Sequence, residues 1–148
     1  MKNVFDAAKY ILEKTGPITT MKLQKLLYYA QAWSLVWDEE ELFPEEFEAW
    51  SGGPVCPELY SWHKHMYRVS ADQVPADRLS GEPFSDDQSK TLAVVLETYG
   101  DKSGRWLSGL THTEDPWKQA RGSCLPGDYC SNVISKGDMA WYYEQYSG

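Results

Sequence analysis

TMKLQKLLYYAQAWSLVW, running from Thr20 to Trp37, reads as one long helix. With Leu23 as the zero of a helical wheel, Leu26, Leu27, Ala30, Ser34 and Trp37 fall within a stripe about 100° wide. The opposite side carries Met21, Tyr28, Ala32 and Leu35, which leaves Lys22 and Lys25 on a narrow edge expected to face solvent. A helix that is apolar on most sides lies inside a domain with other elements packed around it. The fold class that follows is mainly α: a compact single-domain helical bundle around a central buried helix at about 20–37.

Working outward, Asn3 is the expected N-cap of a first helix whose stripe is Val4, Ala7, Ala8, Ile11 and Leu12, stopped by Gly16-Pro17. Thr19 or Thr20 caps the central helix. Beyond Trp37 the period changes: Glu40-Leu42 and Phe47-Trp50 predict a small β-hairpin at about 40–50 with its turn at 43–46. Pro57 suits the first position of a helix reaching about Met66, and residues 69–83 form a connector. Ser85 with Gln88 has the form of a capping box for a helix ending at Gly100. Short helices follow at 103–111, after an Asp115 cap, and after a Ser135 cap.

A chain of 148 residues with seven Trp and ten Tyr is long enough to bury a substantial core. No run of about 18 apolar residues occurs, so no membrane span is expected, and the N-terminal stretch lacks the form of a signal peptide. Three cysteines fit a reducing compartment better than a disulfide framework, and the expected location is the cytoplasm. The net charge of -8 is localised. From Leu26 to His63 there is no Lys or Arg, against eight carboxylates, while the remainder holds 14 acidic and 14 basic residues. Nucleic acid is therefore a poor partner, because phosphate neutralisation needs clustered cations. A basic protein surface suits the segment better, and solvated acidic loops are the plain alternative.

Chemistry is hard to assemble from these residues. His63-x-His65 with Cys56, or Cys124-x5-Cys130 with His112, matches no standard zinc spacing. His112-x-Glu114 lacks the Pro-Cys-x-x-Cys of a zinc deaminase. There is no nucleophile elbow and no phosphate-cradling glycine loop. A Cys56–His63 hydrolase is the enzymatic alternative, yet Pro57 removes one of the amides that a thiolate at Cys56 would use. A packed thiol is the better reading of Cys56. The residues point to no catalytic group, no cofactor and no metal.

Three strings carry a resemblance. They are Leu23-Gln24-Lys25-Leu26-Leu27-Tyr28-Tyr29-Ala30-Gln31, then Glu48-Ala49-Trp50 with Gly53-Pro54-Val55 and Pro57-Glu58-Leu59-Tyr60, then Leu107-Ser108 through His112 to Glu114-Asp115-Pro116-Trp117. In this order they resemble the Panacea domain, also called the SocA-like or GepA-like antitoxin domain. The resemblance implies a mainly helical fold and an antitoxin of a bacterial or prophage toxin–antitoxin pair. Its implied partner is a cognate protein toxin, here one with a basic surface, bound directly. It also implies a second mode, an adaptor that delivers the toxin to a ClpXP-type protease. The motifs themselves are expected to be scaffold. The partner-facing residues are expected at Glu41, Glu45, Glu46, Glu48, Trp50 and Trp62.

Overall fold

The computed structural model describes residues 2–146. Helix α1 spans Val4–Thr15, and α2 spans Thr20–Trp37. The short strand β1 (Ile18–Thr19) lies between them. Strands β2 (Phe47–Trp50) and β3 (Gly53–Val55) precede α3 (Pro57–His63) and β4 (Arg68–Val69). Helices α4 (Asp86–Tyr99), α5 (Gly104–His112) and α6 (Asp115–Arg121) follow. Strand β5 (Val133–Ile134) and helix α7 (Lys136–Glu144) end the described chain.

The caps explain why the helices begin where they do. Asn3 accepts from the Phe5 and Asp6 amides while Asp6 returns a bond to the Asn3 amide, and Ser85 with Gln88 repeats this reciprocal arrangement on α4. Thr19, Ser103 and Ser135 cap α2, α5 and α7. The cap of α6 is shifted by one residue from expectation. Glu114 is its N-cap without a side-chain bond to the helix, because the Glu114 carboxylate is drawn inward to two tyrosines.

Helix α2 is the hub, packed against α1, α4, α5, α7, β1 and β3, and every residue from Leu23 to Ser34 is buried. This confirms the central helix and corrects one of its edges. Lys25 does not face solvent: only 2% of it is exposed. Lys22 is half-buried and donates to the Gly100 carbonyl.

The small β element is antiparallel, in the order β3-β2-β5, with Trp50 opposite Gly53 and Phe47 opposite Ile134. The hairpin therefore turns at Ser51-Gly52, and Glu40–Leu42 is an irregular loop outside it. A residue with a side chain could not easily take the role of Gly53, whose φ is +117°. The connector after β4 contains two 3-10 turns, at 71–73 and 76–78, and is not loose: Val69 and Val74 are buried. Cys124 and Cys130, six positions apart, form a disulfide, and Cys56 remains free and buried. The odd cysteine count had pointed away from any such bond.

Candidate functional site

The polar side chains of α2 are clamps. The Gln24 Oε1 accepts from the Cys56 amide at 2.9 Å, and its Nε2 donates to the Cys56 carbonyl at 3.2 Å. Seven residues on, the Gln31 Oε1 accepts from the Leu42 amide and its Nε2 donates to the Phe43 carbonyl, both at 2.7 Å. Positions seven apart recur on one face of a helix, so α2 holds two loops the same way. Without these two glutamines the buried Cys56 and Leu42 amides and the Phe43 carbonyl would lose their partners, whereas the Cys56 carbonyl also accepts from the Tyr60 amide.

Because a backbone amide can only donate, the Cys56 bond fixes the orientation of the Gln24 amide. Its NH2 group then faces the His63 Nε2 at 3.0 Å, so that nitrogen accepts and carries no proton. Burial, first, and the nearby Lys25 hold the His63 imidazole below its ordinary pKa. The ring is a neutral structural acceptor. Cys56 is equally quiet. Its thiol lies 3.4 Å from the Glu58 carboxylate, and burial pushes its pKa well up, with Glu58 adding to the shift. A nucleophilic thiolate needs the opposite environment.

Lys25 extends beside Gly53 and donates from Nζ to the Pro54 carbonyl at 3.1 Å. Burial draws its ammonium down to about 8. Deeper in the bundle, the Tyr29 and Tyr143 hydroxyls each donate to Glu114 Oε1 at 2.7 Å. The Tyr143 and Tyr28 hydroxyls are 3.1 Å apart. With the Tyr143 proton given to the carboxylate, Tyr28 donates to Tyr143. Helices α2, α6 and α7 are joined through this cluster, in which burial raises the Glu114 pKa.

The six expected partner residues do not act as one free patch. Glu41 pairs with Lys136 at 2.9 Å. Glu45 accepts from the Val4 amide at 3.0 Å and so serves the N-terminus of α1. Burial raises its pKa. Trp62 is half-buried and lies edge-on to Phe5. Glu46 is exposed. Glu48 and Trp50 are brought together, the indole Nε1 donating to Glu48 Oε1 at 2.8 Å. His112 packs against Trp117, with ring centroids 4.2 Å apart and planes tilted by 30°. The Trp117 Nε1 donates to the Trp50 carbonyl. Among the described residues no three His, Cys, Asp or Glu gather to hold a metal ion, and no helix is long and apolar enough to cross a membrane.

What the sequence reasoning missed is a cavity of about 410 Å³ between the start of α2, the β2–β3 turn, α3 and the loop at 127–129. Trp50, Tyr60 and Tyr129 form its walls, with centroids of the last two 4.9 and 5.7 Å from Trp50. Lys25 and His63 also line it. A signal was present in the sequence. Lys25 shares its side of α2 with Tyr29 and Ala32, four and seven positions on, so a solvent-facing edge there was a poor fit.

No solved structure matches the chain. Among curated proteins it is similar to Antitoxin SocA of Caulobacter vibrioides (strain NA1000 / CB15N), with 33% identity over 124 residues. The match covers 74% of this chain and 65% of that protein, so the chain spans somewhat less than two thirds of its relative's length. The family profile described as "Antitoxin SocA-like, Panacea domain" matches residues 23–118, from the clamp helix through α6. On that match, which covers well over half of its length, the chain belongs to the SocA-like antitoxin family built on the Panacea domain.

Proposed function

We propose that this chain is a cytoplasmic antitoxin that neutralises a protein toxin by direct binding and carries out no catalysis of its own. Family membership carries this reading. The chemistry supports it: the motif residues Gln24, Tyr29 and Glu114 are spent on internal contacts, and Cys56 and His63 are both held in unreactive forms. The docking face we favour combines the exposed carboxylates of the loop before β2, Glu39, Glu40 and Glu46, with the Glu48–Trp50 pair. A basic toxin surface complements it and would be steered toward it.

Coexpression with the toxin encoded nearby tests the function: growth must resume when this chain is supplied, and persistent arrest refutes the reading. For the face, Glu39→Lys with Glu46→Lys should weaken binding and flatten its salt dependence. Glu45 is unsuited to that test because its loss would also leave the Val4 amide at the start of α1 without its partner. If toxin protein disappeared only in cells containing a ClpXP-type protease, delivery would replace occlusion as the mechanism.

A further inference from the structure

The cavity beside Trp50 holds a cation without a counter-ion. Lys25 is buried, yet its ammonium makes one hydrogen bond, to the Pro54 carbonyl, out of three it could donate. Among the described residues no carboxylate lies within ion-pair distance of it. The titratable groups that feel its charge are the imidazoles of His63 and His112, which cannot neutralise it. Burying an unpaired ammonium is costly, and an anion would offset that cost. The surrounding walls are aromatic, and the volume lies within the range of small-ligand pockets, which pair apolar linings with a few placed polar groups.

We propose that this cavity binds an aromatic carboxylate, its oxygens taking the free ammonium hydrogens of Lys25 and its ring lying against Trp50 and Tyr60. Two sources supply that chemistry, a free aromatic acid and the C-terminal residue of a protein chain. The pKa of Lys25 near 8 leaves the ammonium mostly charged at neutral pH, as the contact requires. A charge-assisted hydrogen bond in such a site is worth about tenfold or more in affinity.

Calorimetry on the full chain, without any toxin, tests this with 3-phenylpropionate, with N-acetyl-Gly-Gly-Phe bearing a free carboxylate, and with the amide of each. At least one acid should bind, its amide at least about tenfold more weakly. Tighter binding of the free acid identifies a small molecule as the source, and tighter binding of the peptide acid identifies a chain end. Lys25→Met should abolish the preference for acid over amide. Ser51→Trp, an exposed position at the mouth, should block both acids without touching the core. Absence of binding by either acid up to about 10 mM, equal binding of acids and amides, or unchanged binding in Ser51→Trp overturns the proposal. None of these outcomes bears on toxin neutralisation, which is measured separately.

Discussion

The Cε atom of Lys25 occupies the space in which a side chain at position 53 would stand. An ideal Cβ built on Gly53 lies 2.7 Å from that carbon and 3.0 Å from the Thr111 hydroxyl. Gly53 therefore answers two demands at once, a positive φ and the passage of a lysine from α2 to the Pro54 carbonyl. Two of the strings that define the family meet at this point.

Gly53→Ala should destabilise the fold by at least about 2 kcal/mol, from backbone strain and overpacking together. Chemical denaturation measures it. In a double-mutant cycle, Lys25→Ala should recover the overpacking part and leave the strain, so the two changes should be less than additive. Strict additivity would show that the side chains do not share the space.

Gln24→Leu and Gln31→Leu are expected to cost about 2–4 kcal/mol each, because the first leaves the Cys56 amide and the His63 Nε2 unpaired and the second the Leu42 amide and the Phe43 carbonyl. Hydrogen exchange should locate the damage differently. Protection should fall at Cys56 in the first variant and at Leu42 in the second.

Leu26→Ala, in the same helix, should cost about 2–5 kcal/mol, as truncation of a fully buried leucine does. That outcome was legible in the sequence, because the 3.6-residue spacing of Leu23, Leu26, Leu27 and Ala30 fixes which face is interior. The caps at Asn3, Thr19 and Ser85 were legible for the same local reason. Lys25 was legible only in part: Tyr29 and Ala32 on its side of α2 argue against a solvent edge, but the carbonyl that receives it, at Pro54, is set by the fold. The hairpin was misplaced because Glu40-Leu42 alternates like a strand, while the true partner of β2, Gly53-Pro54-Val55, has no strand-like composition. Glu45 looked like surface charge, and only the fold brings it to the start of a helix 41 residues earlier.

Cys56 should resist alkylation by iodoacetamide in the native protein and react once the chain is unfolded. It is fully buried, and burial with the Glu58 carboxylate keeps the thiol protonated. Cys56→Ala should leave toxin neutralisation intact. Loss of neutralisation in a folded Cys56→Ala protein would revive the enzymatic reading.

The Glu114 cluster predicts a pH dependence with a definite sign. Burial raises the Glu114 pKa above the ordinary value near 4.5, even though two tyrosine hydroxyls favour the charged form. The folded chain therefore holds this proton to higher pH than the unfolded chain does. Between the two pKa values the native state binds more protons, so stability falls as pH rises through that window. The contribution is fully present below the ordinary glutamate value and lost above the raised one. Glu114→Gln removes the ionisation and keeps an oxygen that can accept from Tyr29 and Tyr143. Urea denaturation from about pH 4 to pH 8 should show the wild type losing stability relative to this variant as pH rises, with a constant difference beyond the window. A difference that grows in the opposite direction would mean that the hydroxyls outweigh burial, and that the carboxylate is held charged in the core.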